Sequence, residues 1–304
     1  MTARASSARA AAAGAFGPRV LARRSPAVVT GNKTLGSLVW LTLKVPGWPG
    51  ARPGQFVLLQ TRGSSCFLGR PLSVAEQDGA TVSFLIAPIG SGTRELCSLR
   101  RGGEVWVLGP LGNGFDLDAL AAGSGRTVIV GGGVGAAPFP LLLHALGAAG
   151  QAAAGPRQSE VVVLLGFRDA AQAMGAEPVL SAASALDRLG VSCSVVVVTE
   201  DGSLGPAERV TAALQREVRA GDRLAVCGPW AMTEVVAQVI AGVGAVQSWF
   251  SLEAGMACGV GSCHGCVIPL ADGNMTRVCR EGPVFTGETL FERGLFSAGA
   301  KGER

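Results

Sequence analysis

The sequence predicts a multi-domain β plus α/β protein: an antiparallel β-barrel, a doubly wound parallel α/β domain and a small C-terminal module. Three observations predict it. Short β-rich runs separated by turn residues fill the stretch from about Ser25 to Leu120, the spacing of a small antiparallel barrel. From Gly123 onward strands alternate with helical stretches, and parallel strands need crossovers of that length. After Glu253 the chain becomes rich in Gly and Cys and loses helical periodicity, so a metal centre is expected to hold what a core cannot.

A chain of 304 residues holds two or three domains, at about 100–200 residues each. Charged residues make up 16% and the hydrophobic set 48%, which excludes disorder for the bulk of the chain. The net charge of +4 is small for the length and gives no support to nucleic-acid binding.

Residues 1–24 are expected to be a disordered extension, in which Arg4, Arg9, Arg19, Arg23 and Arg24 occur without an acid. Their composition resembles a transit peptide, but no amphipathic stripe is evident. The barrel is expected over 25–122, with strands at Ala27–Thr30, Leu38–Val45, Gln55–Gln60, Thr81–Ala87 and Glu104–Leu108. Turns such as Pro46-Gly47, Asp78-Gly79 and Gly102-Gly103 separate them.

The α/β domain is expected over 123–253. Its strands read at Thr127–Val130, Val161–Gly166, Val195–Thr199, Leu224–Cys227 and Gln247–Leu252, with helices near Pro138–Leu146, Pro178–Leu189, Ala207–Val218 and Ala231–Ile240. The stretch Thr127–Pro156 carries no charge and is long enough to cross a membrane. Its glycine run and Pro138 and Pro140 favour a strand, a turn and a helix instead, so no membrane contact is expected. No secretory signal is evident, which makes a reducing cytoplasm the expected compartment and disulfides unexpected.

Residues 254–304 form the last module. Cys258, Cys263, Cys266 and Cys279 follow the pattern C-x4-C-x2-C-x12-C, the plant-type spacing of thiolates for a [2Fe–2S] cluster. Gly259, Gly261 and Gly265 let such a loop bend and aim backbone N–H groups at the sulfurs. A structural zinc site usually pairs its cysteines at both ends, and Cys279 stands alone. A dithiol at Cys263 and Cys266 leaves the other two cysteines unexplained, and Val267 after Cys266 closes the haem-attachment option.

Two nucleotide signatures precede the cysteines. Gly131, Gly132, Gly133 and Gly135 lie between a buried strand and a helix, where glycines let backbone approach a pyrophosphate. Cys227-Gly228-Pro229 ends a later strand at the edge where ligands bind in open α/β sheets. In the barrel, Arg70-Pro71-Leu72-Ser73 offers a cation for a phosphate and a hydroxyl for a heterocycle, and Gly92 and Thr93 add N–H donors. Each is weak alone.

Together, in this order and with Gly109-Pro-Leu-Gly-Asn-Gly-Phe115 between them, they resemble the ferredoxin-NADP reductase superfamily. Within it, the short gap before Cys279 and the run Val278–Phe285 resemble the electron-transfer subunits of two-subunit, NAD-dependent dihydroorotate dehydrogenases. The resemblance implies FAD at Arg70, Pro71, Leu72, Ser73, Leu85, Ile86, Ala87, Gly92 and Thr93. It implies NAD at Gly131, Gly132, Gly133, Gly135, Cys227 and Gly228, with Thr199–Ser203 as a strand-end motif beside that site. Ile86 and Ala87 depart from the aromatic and basic residues usual there, and the chain has no Tyr. Arg168 could attract a 2′-phosphate, but a solvated pair with Asp169 is the plainer reading, and the resemblance points to NAD.

A nicotinamide handles a hydride, a cluster carries single electrons, and a flavin links the two. The chain has no room for the FMN-bearing barrel that would oxidise dihydroorotate, which takes about 250 residues. The resemblance therefore implies a catalytic FMN subunit as partner, in a heterotetramer of two of each chain. The alternatives are a flavin and iron–sulfur reductase serving a hydrogenase, sulfite reductase or transhydrogenase partner, and a nucleotide-sensing protein with a zinc knuckle.

Overall fold

The computed structural model describes residues 22–122, 125–152, 160–244 and 246–291. The expected extension lies outside the described residues up to residue 21, and Arg23 and Arg24 already belong to β1 (Arg23–Leu35).

Period-two alternation builds the first unit. β1, β2 (Leu38–Lys44), β3 (Phe56–Thr61), β4 (Arg70–Ser73), β5 (Glu76–Asp78), β6 (Thr81–Ile86) and β7 (Glu104–Leu111) form a seven-stranded sheet in the order β4-β3-β7-β1-β2-β6-β5. Every pair is antiparallel. Val29, Leu41, Val57, Leu59, Phe84 and Val107 turn inward to one core. The two ends of the sheet meet at a corner, where Val74 N–H donates to Gln55 O at 3.0 Å and Ala75 N–H donates to Ser83 O at 3.0 Å. The chain steps there from β3 to β6, so the barrel is a curled sheet joined at a corner rather than by a continuous ladder. Arg70–Ser73 is the strand beside β3. The helix α1 (Ser91–Ser98) was not foreseen, because its opening Ser-Gly-Thr carries no helical stripe.

The second unit is the expected doubly wound sheet. β8 (Arg126–Gly132), β9 (Glu160–Phe167), β10 (Ser192–Thr199), β11 (Arg223–Cys227) and β12 (Gln247–Ser251) run parallel in the order β10-β9-β8-β11-β12. The chain leaves β8 in one direction and returns on its other side, which puts the switch point between β8 and β11. After the short α2 (Leu117–Ala121), the helices α3 (Phe139–Ala152), α4 (Ala170–Ala173), α5 (Glu177–Arg188), α6 (Val210–Glu217) and α7 (Trp230–Val243) follow the strands. Ile129, Val163 and Leu165 pack on one face with Phe139 and Leu142 of α3. Val128, Val130, Val162 and Leu164 pack on the other with Leu214 and Val236. Among the described residues, Gly133–Gln151 is the one stretch long and apolar enough to cross a membrane. In the fold it is the helix packed on the sheet, with Phe139, Leu142, Leu143 and Leu146 in the core.

The last segment leaves this sheet and comes back to it. β13 (Val267–Pro269) and β14 (Met275–Arg277) make a hairpin. β15 (Val284–Thr286) then adds to β12 as an antiparallel edge strand, and α8 (Gly287–Leu290) follows. Cys266, Val278, Cys279 and Phe285 share one core with Phe56, Leu58 and Leu111 of the barrel and with Val128 and Phe250 of the parallel sheet. The segment therefore rests on both larger units. The turn between β1 and β2 supplies a second junction, where Leu35 and Leu38 enter the α/β core and Ser37 N–H donates to Ala171 O at 3.1 Å.

Candidate functional site

A cavity of about 490 Å³ opens where the three units meet, within the range of small-molecule and cofactor sites. β4 supplies Arg70, Pro71, Leu72 and Ser73, the end of β6 supplies Leu85 and Ala87, and the first turn of α1 supplies Thr93. The α/β domain adds Val134, Ala137, Cys227 and Ser251 at the end of β12, and the chain after β12 adds Glu253 and Met256.

Alternation along β6 decides which residues reach this space. Leu85 and Ala87 face it, whereas Ile86 is fully buried in the barrel core, so its side chain cannot meet a bound ring. Any contact of Ile86 with a bound ring is left to its backbone. Gly92 has a different task from lining: a Cβ there would lie 2.6 Å from Arg70 Nε, so its bare backbone makes room for the guanidinium. Arg70 donates from one NH2 group to Leu68 O at 2.9 Å, while its buried Nε has no hydrogen-bond partner. A cation with an unpartnered buried donor beside the N-terminus of α1 fits a phosphate group of FAD.

The polar groups at the far wall were missed from sequence, although the rule that selected Cys227 also covers the carboxyl end of β12. Burial pushes the Glu253 carboxyl above its usual range, even though the residue remains open to the cavity. Burial, with Glu253 nearby, pushes the Cys227 thiol up to about 12 against a hydrogen bond to Ser251. Cys227 therefore stays a neutral thiol at physiological pH.

Gly131, Gly132, Gly133 and Gly135 sit at the carboxyl end of β8, across the switch point from Cys227 and Gly228. A Cβ on Gly135 would lie 2.4 Å from Cys227 O, so this glycine lets the turn press against β11. Gly133 has φ +56° and only Gln172 nearby at 3.7 Å, which leaves its backbone open toward a ligand. Arg168 pairs with Asp169 at 3.0 Å and is largely exposed. In the expected strand-end motif, Ser203 Oγ donates to Asp201 at 2.6 Å and accepts from Ala170 N–H at 2.7 Å. These bonds tie the loops after β9 and β10 together.

The cysteines fall into two pairs, Cys258 with Cys263 and Cys266 with Cys279, each joined by a backbone N–H of one to the sulfur of the other. Backbone N–H groups point at the sulfurs: Cys263 N–H to Cys258 at 3.4 Å, Gly265 N–H to Cys263 at 3.4 Å and Cys279 N–H to Cys266 at 3.4 Å. Desolvation raises the Cys258 thiol, but the backbone N–H groups of Cys263, Val260 and Ser262 and the Cys263 side chain outweigh it and bring the thiol down to about 6. Desolvation and the neighbouring Cys266 push Cys279 up to about 12. Among the described residues, no three His, Cys, Asp or Glu side chains converge as ligands of one ion do. Two thiolates for each of two irons fit this pairing.

The loop spans two openings. Met256 lines the central cavity, while Ala257 and Cys258 line an outer groove of about 240 Å³ with Phe67, Leu68 and Trp106. Phe67 is 90% exposed.

A flavin cavity in a curled barrel, a nucleotide turn at a switch point and a paired-cysteine loop define an iron–sulfur flavoprotein reductase of the ferredoxin-NADP reductase fold. Residues 253–291 match the family model of the iron-sulfur cluster binding domain of dihydroorotate dehydrogenase B. The chain is 33% identical over 245 residues to the dihydroorotate dehydrogenase B (NAD(+)) electron transfer subunit of Listeria monocytogenes serovar 1/2a, covering 79% of this chain and 88% of the relative. To that subunit from Caldanaerobacter subterraneus subsp. tengcongensis it is 33% identical over 268 residues, covering 86% and 96%. A solved NADH-dependent reduced ferredoxin-NADP oxidoreductase matches with a TM-score of 0.70 at 25% identity, over 91% of each chain. The chain belongs to the family of dihydroorotate dehydrogenase B electron transfer subunits.

Proposed function

We propose that this chain is the NAD-linked electron-transfer subunit of a cytoplasmic two-subunit dihydroorotate dehydrogenase in pyrimidine biosynthesis. Electrons run from dihydroorotate to FMN in the catalytic partner, then through [2Fe–2S] and FAD to NAD+. Dihydroorotate gives up two electrons and two protons, NAD+ takes two electrons and one proton, and one proton is released. The observation that carries this reading is the shared wall of the two sites: Met256 faces the flavin cavity and Cys258, two residues on, faces the outer groove.

FAD and the cluster, when bound, supply the exchange between a hydride and single electrons. The chain's own residues hold and orient them. Arg70 and the α1 terminus take the phosphates, Pro71, Leu72, Leu85 and Ala87 wall the ring, and Ser73 offers a hydroxyl. The glycine turn after β8 takes the nicotinamide nucleotide, with Cys227 and Gly228 opposite. Cys258, Cys263, Cys266 and Cys279 hold the iron. Exposed Phe67 and Leu68 beside Cys258 support an approach of the partner from the groove side, in an assembly of two of each chain.

The test is reconstitution. Purified chain mixed with the FMN-bearing catalytic subunit should reduce NAD+ when dihydroorotate is added, and neither protein should do so alone. Failure of the mixture, with iron and FAD both present, would favour a reductase that serves another partner.

A further inference from the structure

We propose that Asn113 is a positioning residue that holds the cysteine loop at a fixed distance from the flavin cavity. The inference rests on the electron path proposed above and adds what sets its internal spacing. Asn113 lies on the segment leaving β7, 168 residues before Glu281 in sequence. Its Nδ2 donates to Glu281 O at 2.9 Å and to Val284 O at 2.7 Å, and its Oδ1 accepts from Val284 N–H at 2.9 Å. Its own backbone N–H donates to Gly282 O at 2.7 Å.

One side chain thus grips both ends of the turn 281–284. Within that turn, Pro283 lines the flavin cavity. The grip also reaches the loop of the first cysteine pair. The Glu281 carboxylate takes two bonds from the Arg277 guanidinium, at 3.0 Å and 2.5 Å, and one from its backbone N–H at 3.1 Å, and Arg277 also donates to Gly261 O at 2.9 Å, inside the loop of the first three cysteines. On the barrel side, Gln55 donates to Gly112 O at 2.8 Å, and its neighbour Phe56 lines the cavity. Asn113 itself touches neither a cysteine nor the cavity. A chain of polar contacts therefore runs from the segment beside the flavin wall through Asn113 and Arg277 to Gly261 in the cysteine loop.

The amide is the group this turn demands. Two carbonyls need donors and one N–H needs an acceptor, and only an amide of this length offers both. Asn113→Asp keeps the size and the acceptor but sets a carboxylate oxygen against two carbonyls. Asn113→Ser removes the reach. Small misplacements of reacting centres are costly, so slack at this point should slow transfer between the cofactors while leaving each one bound.

The experiment follows the anaerobic holoprotein by stopped flow after NADH is added, reading flavin reduction and cluster bleaching separately. Both variants are expected to keep wild-type iron, sulfide and FAD contents, wild-type flavin reduction and the wild-type electron paramagnetic resonance spectrum of the dithionite-reduced cluster. Cluster bleaching is expected to slow by about tenfold or more. A merely structural role would not split the two phases. Wild-type bleaching in both variants overturns the proposal, and so does loss of iron or FAD from both, which would make Asn113 a residue of cofactor retention. If NADH reduces the flavin of the wild-type protein but never its cluster, the electron path itself fails, and the proposal falls with it.

Discussion

Arg70 and Glu253 show what single side chains contribute and how far the sequence exposed them. Arg70 alone was a weak signal, and only its place in the order of motifs suggested a phosphate ligand. Its buried Nε without a partner and the bare Gly92 beneath it now give the reason. Arg70→Ala is expected to weaken FAD binding by about 1.5–3 kcal/mol, roughly 10- to 150-fold in Kd, with iron content unchanged. Equal flavin retention in both proteins would remove Arg70 from the phosphate site. Glu253 was not legible, since its raised carboxyl comes from a wall assembled by three units. Because its folded value lies above the ordinary 4.5, its favourable contribution is full below the unfolded value and is lost as pH rises through the folded one. Glu253→Gln is therefore expected to raise the Tm of the apoprotein at about pH 8 and to leave it unchanged at about pH 4. A lower Tm at the higher pH would mean that the carboxylate has a stabilising partner.

At the level of elements, the parallel strands were the easiest to read, because β8, β9 and β11 are buried on both faces and appear as continuous Val and Leu runs. The corner at Val74 and Ala75 was invisible, since it depends on two backbone bonds to strands far apart in sequence. β15 was hidden for a related reason: three residues, Val284–Thr286, carry no pattern of their own and become a strand only against β12. The glycine turn after β8 was legible as a turn between strand and helix, but the division of work within it was not. Gly135 serves packing, with a Cβ contact of 2.4 Å to a backbone carbonyl that cannot swing away. Gly135→Ala is expected to push the turn from β11, costing about 1–3 kcal/mol of stability and raising the KM for NADH. FAD content should hold, because Arg70 and α1 are anchored in the barrel. An unchanged Tm and KM would show that the turn can shift freely, contrary to the contact with β11.

Across the whole molecule the order of carriers is set by which unit touches which. The nucleotide turn and the flavin wall meet across the central cavity, where Val134, Ala137 and Cys227 face Arg70, Ser73 and Leu85. The cysteine loop stands on the opposite side of Met256, toward the outer groove. Hydride exchange between a nicotinamide and the flavin therefore needs no cysteine, whereas a donor seated at the groove meets the cluster first. Cys263, exposed and supplying one thiolate of the first pair, is the residue that separates these legs. Cys263→Ser is expected to lose the two irons and to loosen the hairpin of β13 and β14, since metal binding supplies folding energy to so small a segment. FAD should remain, because Arg70, Pro71, Leu72, Ser73, Leu85 and Ala87 of its cavity lie in the barrel, away from the cysteines. The variant should then oxidise NADH with an artificial acceptor at much of the wild-type rate, yet fail to couple dihydroorotate to NAD+ when the catalytic subunit is added. Both rates, measured on one preparation with its iron and flavin contents, decide the matter. Coupled turnover at the wild-type rate in protein that lacks iron would show that electrons reach the flavin without crossing the cluster, and the order of carriers given by this fold would have to be abandoned.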